Sequence, residues 1–239
     1  MTQLLGSAKK KHNILKHTAP EALKVKDESW FYIQLYALFL AIGFALTTFI
    51  PKGDLELAVN ANHQPLADTF FKYVTNLGDG LILAFAAMAL LFIRYYYAFV
   101  LVIISSVHGI LIHLFKKVWF PGTLRPKAFF EDLADLHFVE GVKVHSHNTF
   151  PSGHTATIFA LTVFLALIIN KKSWSLALIL VAVLVGFSRV YLMQHFFFDV
   201  YVGSMVGVLS TWLSVYLVER FTNFTENSLM SRSILRRSF

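Results

Sequence analysis

The 239-residue chain has no cysteine, only 6 prolines, and 14 acidic residues against 21 Lys and Arg. Without thiols it can build neither a disulfide framework nor a thiolate metal site, and it has no cysteine nucleophile. Its redox compartment is therefore not written in its composition. Charge is scarce as well: 15% of residues are charged and 56% hydrophobic, with a mean hydropathy of +0.59. A soluble domain of this length rarely carries so little charge, so the composition points to an integral membrane protein. The formal net charge of +7 raises nucleic acid as a partner. The cations, however, gather at the ends of apolar runs and lack the aromatic interleaving of a nucleic-acid groove, so none is expected.

What the chain does have is apolar runs, at about 30–50, 73–93, 95–117, 154–170, 174–192 and 196–218. Most approach the roughly 20 residues a helix needs to cross a bilayer. Arg94 divides the long stretch 81–115, and Lys171 and Lys172 divide 156–192, giving six predicted crossings. The expected fold class is all-α: an integral membrane bundle of six transmembrane helices over 30–218, with a loop and helix cap on its outer side. Basic tails over 1–29 and 219–239 flank it. The first tail, with Lys9, Lys10, Lys11, Lys16, Lys24 and Lys26, is too long and polar for a secretory signal. An even number of crossings puts that tail, Arg94, Lys171, Lys172 and the C-terminal Arg220, Arg232, Arg236 and Arg237 on one side. The positive-inside rule makes that side cytoplasmic. Residues 51–72, 118–153 and 191–195 then face outward.

Three polar stretches fall at this outer face: "KKVWFPGTLRP" (116–126), "FPSGHT" (150–155) and "SRVYLMQHFFFD" (188–199). The last sets an arginine, a histidine and an aspartate between apolar runs, where each charge costs about 2.5–3.5 kcal/mol at a helix centre. His195 and Asp199, four apart, share a helix face. The carboxylate can hold the proton of one imidazole nitrogen and leave the other free as a nucleophile. Pro151-Ser152-Gly153 reads as a helix start, where proline is suited and serine can cap, with free N–H groups in the first turn that attract an anion. His154 stands beside it. Lys117, with Lys116 as its neighbour, and Arg125 add cations, the guanidinium fork being suited to phosphate oxygens. Two imidazoles, one carboxylate, three cations and a helix N-terminus form an inventory for phosphoryl transfer without a metal. Arg189, Arg125 and Lys117 would neutralise the equatorial oxygens while one histidine attacks phosphorus and the other protonates the leaving oxygen.

These stretches resemble the three-part signature of the type 2 phosphatidic acid phosphatase superfamily: a lysine followed by Arg-Pro, then Pro-Ser-Gly-His, then Ser-Arg with a downstream His and Asp. The second part is complete as Pro151-Ser152-Gly153-His154. The third is complete as Ser188-Arg189, His195 and Asp199. The first has seven residues between Lys117 and Arg125 where the family usually has six, an extra residue that the Phe120-Pro121-Gly122 turn could absorb. The resemblance implies His195 as nucleophile, Asp199 as its orienting partner, and His154 as general acid and later base. It implies Lys117, Arg125, Ser152, Gly153 and Arg189 as phosphate-binding residues, with no metal and no cofactor. The expected protein is a lipid phosphatase or pyrophosphatase of the bacterial inner membrane with an extracytoplasmic site. Phosphatidylglycerophosphate, undecaprenyl pyrophosphate and lipid A phosphates are the substrates the resemblance suggests. A phosphotransferase would share the site, and an anion transporter is the non-enzymatic alternative. Vanadate-dependent haloperoxidases share the pocket type but are soluble.

Other polar residues receive plainer readings. His145 and His147 are expected near the substrate entrance rather than as zinc ligands with His154. Glu131, Asp132, Asp135 and Glu140 are expected on a solvated amphipathic helix over the site. His108 and His113 are expected to satisfy polar needs between helices. The "GSMVG" of 203–207 fits close helix packing within the chain.

Overall fold

The computed structural model describes Leu23 and residues 27–223 and 229–235. Most of the basic N-terminal tail, and Arg236 and Arg237, lie outside the described residues. The elements are α1 (Asp27–Phe49), α2 (Asp54–Ala61), α3 (Pro65–Val74), α4 (Leu81–Leu91), α5 (Tyr95–Leu114), α6 (Pro126–Phe129), α7 (Gly153–Ile169), α8 (Lys172–Tyr191) and α9 (Phe197–Phe221). A 3-10 turn, Thr75–Gly78, extends α3, and a π turn, Phe115–Trp119, extends α5. Among the described residues there is no strand, and one isolated bridge joins Leu124 to His147.

The apolar run of 154–170 becomes α7, the hub of the bundle. It is hydrophobic all round, and its residues from Thr155 to Phe164 are all buried, as a helix without a polar face requires. The spacing of small residues on α9 lets that helix come close to it. A Cβ on Gly203 would stand 2.6 Å from the carbonyl oxygen of Ser152, and one on Gly207 would strike the backbone of Ala156. The "GSMVG" stretch is thus packing within the chain. His108 on α5 lies 3.4 Å from the Thr157 hydroxyl of α7, while His113 is exposed.

Among the described residues, four helices are long and apolar enough to cross a membrane: Glu28–Phe49, Tyr95–Trp119, Lys172–Tyr191 and Phe197–Phe221. The run expected at 73–93 instead divides between α3 with its 3-10 turn and α4, bent by 60° at the break. Asp79 and Gly80 interrupt the helix there. Counted as one span, the bent pair makes five. The remaining expected crossing, α7, has 17 residues. At about 1.5 Å per residue it falls a little short of a hydrocarbon layer near 30 Å.

Among the described residues, the chain ends meet the Arg94 and Lys171 turns at one end of the bundle. Leu23 N–H donates to the Glu219 carboxylate near the end of α9 at 2.7 Å, and Ser29 N–H to the Asn170 side chain between α7 and α8 at 3.0 Å. The C-terminal segment docks on the α4–α5 turn, where its carbonyls at Met230 and Arg232 accept the first N–H groups of α5. These are donors that a helix start otherwise leaves unsatisfied. The opposite end carries α2, the α2–α3 turn, residues 120–152 and the turn before α9. The acidic run there is not the expected amphipathic helix. Only Pro126–Phe129 is helical, and Glu131, Asp132, Asp135 and Glu140 sit exposed on irregular backbone, while Phe130, Ala134, Leu136 and Val139 beside them pack inward.

Candidate active site

Backbone hydrogen bonds draw the three polar stretches together. Arg125 N–H donates to Ser146 C=O at 2.9 Å and Thr149 N–H to Thr123 C=O at 3.2 Å, so the first stretch lies along the approach to the second. Ser152 N–H donates to Asp199 C=O at 3.0 Å, joining the second to the third. Within the third, the N–H groups of Gln194 and His195 both donate to Arg189 C=O, at 2.9 and 3.2 Å. This winds the turn between α8 and α9 tightly about the last turn of α8.

The result is a cavity of about 500 Å³ whose walls include Lys116, Arg125, Gly153, His154, Arg189 and His195. Both imidazoles of the signature thus face one space. His195 is 1% exposed. Its Nδ1 lies 3.5 Å from Asp199 Oδ2 and 3.2 Å from the Thr149 hydroxyl. That hydroxyl in turn donates to Asp199 Oδ2 in a short hydrogen bond. Thr149 therefore bridges the pair: Nδ1–H can donate to Thr149 Oγ1, which donates onward to the carboxylate. Engaging Nδ1 leaves Nε2 as the nitrogen available for chemistry. Asp199 Oδ2 also accepts Phe196 N–H at 2.9 Å, and Glu56 of α2 accepts Phe197 N–H at 2.6 Å. Two carboxylates thus hold the positive end of α9. Burial, then the nearby Arg125, Arg189 and Lys116, push the His195 imidazole well below the ordinary histidine range. Burial chiefly raises the Glu56 carboxyl.

The cations are held from behind. Arg125 is buried, with Nη1 donating to the Gln194 backbone and side-chain oxygens at 2.9 and 3.0 Å and Nε donating to His147 C=O at 3.0 Å. Arg189 Nη1 donates to the Thr75 hydroxyl at 2.5 Å. Its Nε is buried with no partner among the described residues. Such a donor is costly to leave unmatched and suits a bound oxyanion.

Two residues take places other than those expected. Lys116 lines the cavity, whereas Lys117 is exposed and lies off it. Both lysines lie in the π turn Phe115–Trp119, which ends where the Phe120-Pro121-Gly122 turn begins. A π turn is how a helix takes in one residue without breaking, and it changes the face that each lysine presents. Ser152 is fully buried and off the cavity wall; its Oγ caps α7 by accepting Thr155 N–H at 3.4 Å and Thr155 O–H at 2.9 Å. Gly153 and His154 present the first helical turn to the cavity in its stead. His145 lines the entrance and is exposed, as expected of it. Thr149, Gln194 and Thr75 were not singled out from sequence. Thr149 adjoins the second signature stretch and Gln194 lies inside the third, beside His195, which is the only signal that could have found them.

A second, apolar groove of about 540 Å³ adjoins the site. Leu46 of α1, Ile50 just beyond it, and Phe120, Phe150, Phe197 and Phe198 line it, with Thr149 and Asp199 on its wall. The Thr149–Asp199 pair thus touches a polar cavity through His195 and an apolar groove directly.

This arrangement has counterparts. LpxE of Aquifex aeolicus superposes with a TM-score of 0.61 at 27% identity, covering 69% of this chain and 94% of that one. A PAP2-type phosphatidylglycerolphosphate phosphatase from Bacillus subtilis superposes at 0.55 and 24% identity, covering 82% and 99%; at that identity the likeness concerns the fold. A lipid A 4'-phosphatase of Bacteroides thetaiotaomicron is 30% identical over 101 residues, which span 42% of this chain and 45% of the relative. The chain thus matches less than half the length of that curated relative. The family model for the PAP2 superfamily matches residues 95–223, more than half of the chain and all three stretches that wall the cavity from Lys116 to Asp199. With the apolar helices that carry these walls, the chain is an integral membrane member of the PAP2 superfamily.

Proposed function

We propose that this protein hydrolyses a lipid phosphate through a phosphohistidine on His195, without a metal. The observation that carries the reading is one cavity walled by two imidazoles and three cations, with the deeper imidazole locked at Nδ1 by Thr149 and Asp199. In the proposed reaction, Arg125, Arg189 and Lys116 take the phosphate oxygens, and the first N–H groups of α7 add their partial charge. The unmatched Arg189 Nε gains a partner when phosphate enters. His195 Nε2 attacks phosphorus in line with the leaving oxygen. The P–O bond to the lipid breaks, and His154 gives that oxygen its proton. His154 then takes a proton from water, which attacks the phosphohistidine and releases inorganic phosphate. The incoming dianion itself favours a protonated His154 amid so many cations.

The lipid headgroup would enter the polar cavity while the apolar groove beside Asp199 receives hydrocarbon. In this reading α7 and the bent α3–α4 pair complete six crossings, both termini are cytoplasmic, and the site opens outward on the bacterial inner membrane. The Bacteroides relative makes lipid A phosphate the first substrate to try, followed by phosphatidylglycerophosphate and undecaprenyl pyrophosphate. The test is phosphate release from each in detergent with excess chelator. Wild type is expected to turn over at least one lipid, and His195→Ala none while keeping its Tm. Undiminished turnover by His195→Ala would refute the assignment.

A further inference from the structure

Outside the cavity, His63, Asp68 and His137 each bring one metal-ligating atom within 4.8 Å of the others. They come from the α2–α3 turn, the first turn of α3 and the outer loop, and no spacing rule in the sequence links them. His137 Nε2 is 2.9 Å from Asp68 Oδ2, and the second Asp68 oxygen accepts the Tyr191 hydroxyl at 2.6 Å. Asn60 holds the His137 backbone from both sides, accepting its N–H at 2.9 Å and donating to its C=O at 2.8 Å. Two of the three donors are thus oriented from behind, as ligands of a metal usually are. His63 is exposed, and the Asp68 and His137 side chains are 17% and 32% exposed, so an ion can reach them from solvent.

We propose that these three residues form a divalent transition-metal site of the zinc class, with water completing the coordination. Two imidazoles and one carboxylate suit zinc better than calcium or magnesium, which prefer all-oxygen shells. Zinc–ligand bonds of about 2.0–2.2 Å place neighbouring ligand atoms on one ion roughly 3.2–3.6 Å apart. The Asp68–His137 pair, now at 2.9 Å, must therefore open slightly, and His63 must close in by up to about an ångström. The rings of His63 and His137 now stack at 3.7 Å between centroids and 9° between planes, and stacked rings cannot both aim a lone pair at one ion. His63 is the ring that turns: it is exposed and belongs to no helix, whereas His137 is fixed by Asn60. Once bound, the ion would clip the outer loop to α3, and through Asp68 and Tyr191 to the end of α8. That loop continues into Gly141, Lys143 and His145 at the cavity entrance, and Tyr191 lies two residues beyond Arg189. The site does not depend on the phosphatase reading.

Tag-free full-length protein in detergent, stripped with chelator, is titrated with Co²⁺ and then Zn²⁺. The expected result is a single equivalent of Co²⁺ giving the visible absorption of a four- or five-coordinate ion, its displacement by Zn²⁺, and a rise in Tm of several degrees. His63→Ala, an exposed substitution that should leave the fold intact, is expected to lose both signals; His195→Ala and His145→Ala are expected to keep them. Absence of the band and the Tm rise in wild type, or their persistence in His63→Ala, overturns the proposal.

Discussion

His195 Nδ1 faces the Thr149 hydroxyl at hydrogen-bond distance and the Asp199 carboxylate at 3.5 Å, and the sequence displayed only the second of them. The pairing with Asp199 is legible from their four-residue spacing, but not through the shared helix face expected: His195 lies in the turn before α9 and only Asp199 is helical. Thr149 is not legible, because a hydroxyl on irregular backbone carries no spacing signal; only folding brings it to 3.2 Å from Nδ1. If Thr149 positions the imidazole, Thr149→Val should lower kcat roughly 10–100-fold with little change in KM or Tm, within the range of a misdirected acid–base group. Thr149→Ser should restore most of the rate. Steady-state kinetics of the two variants decide it, because a hydroxyl that merely fills space would be replaced equally well by valine. The ionisation of His195 gives a second expectation. Only the neutral imidazole attacks phosphorus, and burial among cations lowers its proton affinity. The neutral form therefore persists as pH falls through the ordinary histidine range near 6.5. The acid limb of kcat/KM, after division by the lipid phosphate's own ionisation near pH 6, should lie below 6.5. A limb at or above 6.5 would contradict the depressed value.

At the scale of elements, the six apolar runs were legible and their ends less so. A run of apolar residues announces a buried or lipid-facing helix, but Asp79 and Gly80 bend one of them by 60°, and α7 is shorter than a bilayer is thick. The first signature stretch shows the same limit. From spacing alone, Lys116 and Lys117 are nearly equivalent, and the π turn at Phe115–Trp119 decides between them. Lys116→Ala should cost about 10²-fold in kcat/KM, the scale of losing one charge stabiliser of the transition state. Lys117→Ala, exposed and off the cavity, should stay within a factor of two. Reversal of the two effects would mean that the π turn does not set the lysine face. The trio of His63, Asp68 and His137 was illegible for a simpler reason: its members span 74 residue steps and meet only when the outer loop folds over α3.

The whole molecule sets the α4–α5 and α7–α8 turns at one end and the cavity at the other. Hydrogen bonds at Leu23, Ser29 and Tyr95 tie the described terminal residues to the end that holds the Arg94 and Lys171 turns, and His154 and His195 wall the cavity at the other. The absence of cysteine from the sequence makes the orientation of these ends testable on a clean background. A cysteine introduced at Glu131 should react in intact cells with a membrane-impermeant maleimide, and one at Ser173 only after the cells are opened. The opposite pattern would invert the topology and place the site in the cytoplasm.

The central claim is that phosphorus is transferred to His195 in that cavity, and rapid acid-free quenching of the protein with ³²P-labelled lipid phosphate measures it directly. Wild type quenched within its first turnover should carry an acid-labile, base-stable label on the peptide containing His195, and His195→Ala should carry none. A lipid that turns over in wild type without labelling that peptide, or a label that survives removal of His195, would contradict the account.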